Sequence, residues 1–441
     1  MVRFSDTVRD EPAGIECAMA FSQFDRVPNH YGGPIIENIK EFREANGKRS
    51  LVPTQLRIGD LEVLVPRHFG FCFGVERAIH IAFTALEEHP DKRVNVLSEI
   101  IHNPLVNDDL RQRQVRFIYD REGRRQVAES EISDDDVVLI PAFGTTLEIE
   151  QSLSRSGIDV DSQDYRDRYD TTCPFVSKVW DRGEELGKAG YTIVIHGKFS
   201  HEETQATQSR TRMHTKTLVV LGAEEARRVG DYIEGKASLE EFSQDFSGKW
   251  SAGFDPEKDL RRVAVVNQTT MLAEETREVA GIIRDALIAR YGDGNIEHHF
   301  ADTSDTLCYA TNWNQNATKG LLEASPDVAV VVGGYNSSNT SHIVEICSEK
   351  MPSYLICGAE ELLSQERIRH FDVVARSLVE TEDWLPELPL TLAVTSGASC
   401  PDTLMNDVIE KVAGFCGYGA ADIEAGLAEL SLCSPAAGSP A

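Results

Sequence analysis

The sequence has no cysteine pair at CxxC spacing, no apolar run approaching the ~18 residues needed to cross a bilayer, and comparatively little basic charge. Each lack excludes something. Without paired cysteines, a structural zinc site of the usual kind is disfavoured, and the compact ferredoxin spacings are missing as well. Without a long apolar run, no membrane partner is expected. With 44 Lys and Arg against 72 Asp and Glu, the formal charge of −28 argues against nucleic acid, which is bound through basic patches. The N-terminus "MVRFSDTVRDEPAGIECAMA" shows neither a basic start with an apolar core nor an Arg/Ser-rich, acid-poor character, so a cytoplasmic location is expected. The nine cysteines, odd in number and scattered, read as reduced thiols or metal ligands rather than as a disulfide framework.

What the chain does have, over its 441 residues, is a repeated pattern. β-branched runs lead into short loops rich in Gly, Ser, Thr, Asn or His, and these open amphipathic helical segments. "LEVLVP" precedes "FGFCFGVERAIHIAFTALEE", "YTIVIHG" precedes "KFSHEETQATQS", "RVAVVNQ" precedes "TTMLAEETREVAGIIRDALIARYG", and "DVAVVVGG" precedes "YNSSNTSHIVEICSEK". This alternation predicts α/β structure with parallel sheets, in which loops after the strands' C-terminal ends gather ligand chemistry. Residues 1–60 read as an extension packed on the outside, residues 230–262 as an insertion, and the tail 416–441 as ending in a disordered "SLCSPAAGSPA". The length suits three units, expected at 61–172, 173–307 and 308–415.

Sorting the cysteines narrows the candidates. Cys347 and Cys357 lie in apolar contexts typical of structural thiols. Cys17, Cys416 and Cys433 lie near the ends, and Cys400 has Ser399 beside it as the more useful anion donor. Cys72, Cys173 and Cys308 remain, one per expected unit and each just before a helical segment, where the helix dipole favours a thiolate. Their spacing fits an iron–sulfur cube with one iron left free, although spacing alone favours three unrelated buried thiols.

The motifs "GFCFGVERAI", "SEIIHNPLV", "DTTCPFVSKVW", "HGKFSHEETQAT", "NQTTM", "DTLCYAT", "GGYNSSNTSH" and "SGASCPD" occur in one order between about residues 61 and 412. In this the chain resembles the 4-hydroxy-3-methylbut-2-enyl diphosphate reductase family, in its longer plant and cyanobacterial branch. The resemblance implies three similar α/β domains with parallel-type sheets, arranged pseudo-threefold around one [4Fe-4S] cluster per subunit. Cys72, Cys173 and Cys308 would hold that cluster. The implied reaction is a two-electron reductive dehydroxylation of an allylic diphosphate to isopentenyl and dimethylallyl diphosphate, with a ferredoxin or flavodoxin as electron donor. Glu203 would be the proton source, with His201 and Thr269 completing the relay. His102, His201, Thr269, Ser337, Ser338, Asn339 and Ser399 would bind substrate, the serines and Asn339 offering donors at helix starts. Such donors act at short range in a dry cavity, where a remote acidic surface is screened.

One position departs from the pattern. Many bacterial members carry a phosphate-binding histidine where this chain has Phe143 in "PAFGTT", so binding should lean on His102 and the serines. His196 and His342 have no assigned role beyond loop hydrogen bonding. Two rival readings are a three-cysteine dehydratase of the quinolinate synthase type and a non-enzymatic iron–sulfur sensor or carrier.

Overall fold

The computed structural model describes residues 27–46, 50–301, 303 and 306–433. Cys17 and residues 434–441 fall outside them. Continuous β-branched runs form the inner strands because both faces are covered: every residue of Val328–Val332, Thr192–His196 and Val263–Asn267 is buried. Helices follow the 3.6-residue period. In Ala223–Ile233, for example, Ala226, Val229, Gly230 and Ile233 turn inward.

Three sheets result. The first has three parallel strands, Arg116–Phe117, Val94–Val96 and Val137–Leu139, in that spatial order. The second has four, Thr217–Val220, Thr192–His196, Val263–Asn267 and Phe300–Ala301, again all parallel. The third has eight and is mixed. Its centre is parallel, with Ser353–Ile356, Val328–Val332, Leu390–Ser396 and Leu61–Val65 side by side. Antiparallel partners flank that centre, the pair Arg367–Asp372 and Ser377–Glu382 on one edge and Thr54–Ile58 with Ser431–Leu432 on the other.

The cysteines stand where the chain crosses from one sheet to another. After Leu61–Val65 in the third sheet, Cys72 opens the helix Phe73–Glu88, whose Val75, Ala78, Ile79 and Ala82 pack with Val94, Val96, Val137 and Leu139 of the first. The stretch before Cys173 runs beside the first sheet, through a parallel bridge between Ile140 and Asp170. Cys173 then opens Pro174–Lys188, whose Val179 and Leu186 pack with Ile193, Ile195 and Val266 of the second sheet. Cys308 follows the edge strand Phe300–Ala301 and opens Tyr309–Glu323, whose Leu321 packs with Ala329, Val331 and Leu64 of the third.

This pairing departs from the expected boundaries at both ends. Leu61–Val65, expected in the first unit, pairs in parallel with Leu390–Ser396, so the first unit is opened by Cys72 just as the others are opened by their cysteines. Within 1–60, the helix Pro34–Ala45 does pack on the outside, through Ile35, Ile36 and Ile39, but Thr54–Ile58 is a strand of the third sheet. The expected tail contains a helix, Ala420–Leu427, anchored by Ile423, and then Ser431–Leu432 beside Thr54 and Gln55.

The insertion also has structure. Ser238 caps the helix Leu239–Asp245 in a capping box with Glu241. Phe242 stacks on Trp250 at 5.6 Å, with Phe246 fully buried beside it. Val219 N–H donates to Lys249 O and Ser251 N–H to Thr217 O, which covers the exposed edge of the second sheet. Truncating Phe242 to alanine should therefore cost about 3–5 kcal/mol of stability, read from urea unfolding with an unchanged m-value.

Candidate functional site

The loops at the C-terminal ends of the parallel strands meet between the three sheets. Cys72, Cys173 and Cys308 are each the N-cap residue of their helix, in extended backbone conformation. Backbone N–H groups therefore aim at each sulfur, and by themselves would favour thiolates. Burial outweighs them. The Cys72 thiol is pushed up to about 12, by burial first and then by Cys308, against the N–H groups of Val75 and Gly74. Cys173 is raised by burial, then by Cys308 and Cys72. Cys308 is raised by burial, with Glu203 adding to the rise and Thr311 and Ala310 opposing it. The pull of the helix N-terminus thus loses to desolvation, and each thiol feels the charge of a neighbouring thiol or of Glu203. Gly74 permits this approach, because a Cβ there would stand 2.6 Å from Cys173 Sγ. Cys72 N–H also donates to Ala398 O at 3.0 Å, tying its loop to the one that carries Ser399.

These residues fit a polynuclear cation better than a single ion. Among the described residues, no three His, Cys, Asp or Glu side chains are close enough to share one metal ion. A cube, by contrast, takes each thiolate at a separate corner. The repulsion that makes three ionised sulfurs costly in a dry space is the repulsion that a positively charged core removes. None of the eight described cysteines forms a disulfide. Cys347 is fully buried, as its apolar setting suggests, whereas Cys357, expected to be the same, is only half-buried; Cys400 is fully buried as well.

Glu203 lies in the first turn of the helix Glu202–Thr211 and is 2% exposed. Thr269 grips both carboxylate oxygens, its N–H donating to Oε1 at 2.5 Å and its hydroxyl to Oε2 at 2.9 Å. Those bonds favour the ionised form, yet desolvation is larger and raises the carboxyl to about 7. The acid is thus poised to hold a proton at neutral pH. His201, the N-cap of the same helix, accepts from Glu203 N–H at its Nδ1, 3.1 Å away, and burial holds its pKa well below the usual histidine value. Its Nε2 lies 3.2 Å from Nε2 of His102.

The anion donors come from other loops. Ser337 is the N-cap of the helix Ser338–Ser348, its Oγ accepting from Thr340 N–H at 3.3 Å and from the Thr340 hydroxyl at 2.9 Å. Plain helix capping is therefore part of its role, and its own O–H is left to donate elsewhere. Asn339 Oδ1 accepts from Ala398 N–H at 2.8 Å, while its Nδ2 is buried without a partner. The Ser399 hydroxyl donates to His102 O at 3.2 Å, and Ser338 Oγ lies 3.5 Å from Gln268 Nε2. Phe143 stacks on the His102 imidazole at 4.0 Å and 18°, so the residue that departs from the pattern orients a histidine instead of binding an anion. His196 is fully buried and bonds Thr276 at 2.9 Å, and His342 pairs with Glu345 at 2.9 Å, which leaves both outside the cluster of donors.

Sequence reasoning missed Glu99, Asn336 and Gln268. Glu99 is an acid beside the paired isoleucines of "SEIIHN", and an acid kept next to core residues is the signal that could have flagged it. Gln268 Oε1 accepts from Lys198 N–H at 3.0 Å and from the Thr204 hydroxyl at 3.1 Å, joining the two loops that present Glu203 and Thr269.

The LytB protein family matches residues 63–413. The chain is 41% identical over 367 residues to the 4-hydroxy-3-methylbut-2-enyl diphosphate reductase of Gloeobacter violaceus, covering 82% of this chain and 85% of that protein. It is 40% identical over 375 residues to the protein of the same name from Trichormus variabilis, covering 85% of this chain and 88% of that one. In fold it is similar to the solved E-1-hydroxy-2-methyl-but-2-enyl-4-diphosphate reductase of Plasmodium falciparum, with a TM-score of 0.55, 20% identity, and coverage of 81% of this chain and 90% of that one.

Because the Thr269 hydroxyl stabilises the ionised form of Glu203, Thr269→Val should move the carboxyl's titration further above 7. Infrared detection of the protonated carboxyl as a function of pH would show the shift. A fall in the midpoint would contradict the balance of forces described.

Proposed function

The chain belongs to the LytB protein family, and on that premise we propose that the centre between its three sheets is where a 4-hydroxy-3-methylbut-2-enyl diphosphate is reduced to isopentenyl and dimethylallyl diphosphate. Cys72, Cys173 and Cys308 are the ligands of a [4Fe-4S] cluster in this reading. When bound, the cluster supplies one-electron transfers and, at the iron lacking a protein ligand, Lewis acidity. The observation that carries the reading is the convergence of three N-cap thiols with a buried acid that retains its proton near neutrality.

The reaction takes up two electrons and two protons, breaks an allylic C–O bond and releases water. Hydroxide leaves poorly, so a proton must reach the oxygen as the bond breaks. Glu203 is the donor, held in one rotamer by Thr269 and shielded from bulk water. His201 receives the Glu203 N–H at its own Nδ1 and so fixes the first turn of that helix. The diphosphate lies across Ser337, Ser338, Asn339 and Ser399, with His102 as the imidazole beside it. The unpartnered Nδ2 of Asn339 and the free O–H of Ser337 are donors of the kind a phosphate oxygen requires. Burying the reacting end while the anion is held at the other end supports a Lewis-acid reduction over the dehydratase and sensor alternatives, neither of which needs a proton-loaded acid set beside a diphosphate cradle.

Electrons come from a one-electron carrier protein of the ferredoxin or flavodoxin class. No described helix is long and apolar enough to cross a membrane. Eight described cysteines outside any disulfide suit a reducing compartment, and the cytoplasm is the proposed location.

Anaerobically purified protein should be brown and should consume two electrons per substrate. Cys308→Ser should lose both the visible absorbance and the turnover, and retention of both would remove the ligand assignment. Glu203→Gln should bind substrate within a few-fold of wild type while kcat falls by about 10²–10⁴. The sign of the pH dependence follows from the raised carboxyl: its protonated fraction declines as pH rises through about 7, so kcat should fall on the alkaline side.

A further inference from the structure

His102 is linked to a carboxylate that the reaction does not consume. Glu99, 5% exposed, receives three donors. Arg121 Nε donates to its Oε1. Asn336 Nδ2 donates to its Oε2 at 2.6 Å, and His102 Nδ1 lies 3.3 Å from the same oxygen. Burial alone would raise this carboxyl, but the His102 bond and the Arg121 charge hold it below the ordinary value, so Glu99 is an anion at neutral pH.

The protons then have one consistent arrangement among neutral rings. His201 Nδ1 accepts from a backbone N–H, so its ring proton is on Nε2. That N–H faces His102 Nε2, which must accept, so the His102 proton is on Nδ1 and points at Glu99. Glu99 therefore selects the tautomer in which His102 Nε2 accepts from His201. The same carboxylate ties His102, from the first sheet, to Asn336, which immediately precedes Ser337 on a loop of the third. The two loops touch elsewhere too, since a Cβ at Gly334 would lie 2.6 Å from His102 O. Phe143 covers one face of the His102 ring and His201 meets it edge-on at 5.2 Å, so the ring is restrained from turning.

We propose that Glu99 is a positioning residue for the diphosphate: it holds His102 and Asn336 in one geometry, so that the imidazole and the loop that carries Ser337 meet the anion together. The inference rests on the reductase reading only for the identity of the anion. Arg121 is the counterpart that keeps Glu99 in place from outside, at the base of a surface cavity of about 340 Å³ also lined by Arg111 and Arg124.

Two effects of removing Glu99 oppose each other, and this makes the test decisive. Direct Coulomb repulsion between a carboxylate and a diphosphate predicts tighter anion binding once the charge is gone. Loss of the oriented histidine and of the anchor on Asn336 predicts weaker binding. The experiment is calorimetric titration of the full-length, cluster-loaded protein with inorganic pyrophosphate, alongside steady-state kinetics. Glu99→Gln should raise the pyrophosphate Kd and the substrate KM about tenfold, with kcat changed by less than about twofold. Arg121→Gln should give a smaller rise of the same kind, and the double variant should be no worse than Glu99→Gln alone, because the two act through one contact. Unchanged or tighter pyrophosphate binding in Glu99→Gln, a loss confined to kcat, or additive effects in the double variant would overturn the proposal. Should Glu99→Gln fail to fold, Arg121→Gln carries the same comparison. A wild-type protein that binds pyrophosphate but does not reduce the allylic substrate would count against the reductase reading alone.

Discussion

Three sulfurs gathered in a space where their negative charge is unsupported is the constraint on which the rest of this architecture turns. Each sits at a helix N-terminus, and the N–H groups there pull towards ionisation, yet burial and the proximity of the other thiols overrule them. A compact cation bound by the three sulfurs, as proposed, would relieve that cost. Because each cysteine marks a crossover between sheets, whatever joins the sulfurs also joins the three units. Covalent chemistry at the centre and cohesion of the whole are then one requirement.

The same competition between burial and donors sets the acid. Glu203 receives two good hydrogen bonds to its charged form and still keeps its proton near neutrality, because its surroundings exclude water. The wall opposite is made differently. Hydroxyls, an amide and imidazoles from several loops present donors without fixed positive charge. In the proposed reaction this division would serve a substrate held as an anion at one end and relieved of a hydroxyl at the other.

Much of this could be read from the chain. Continuous β-branched runs such as "VAVVV" became buried parallel strands, and the residue before each helical motif did become its cap. Partners across a sheet could not be read. Nothing local in "LEVLV" says that it lies against Leu390–Ser396 rather than Val94–Val96, because β-pairing is decided by what remains uncovered once the helices pack. The stretch 230–262 broke the strand–helix rhythm and still folds, through aromatic packing that has no fixed period. At the centre, the cysteines and Glu203 were legible from motifs, whereas Glu99 and Asn336 act through side chains brought together from 237 positions apart. Phe143 shows the limit in the other direction: its identity was visible, but its stacking partner was not.

The eight-stranded sheet is assembled from both extremities of the chain. Thr54 and Gln55 lie beside Leu432 and Ser431, and Leu61 lies beside Leu390. During synthesis the early strands must wait, unpaired and adhesive, until more than three hundred further residues have emerged. Contacts of such long range slow folding and leave sticky edges exposed meanwhile. The nascent polypeptide is thus most vulnerable to aggregation until residues 390–432 have emerged, and loss of Ser431–Leu432 would reopen the edge at Thr54 and Gln55.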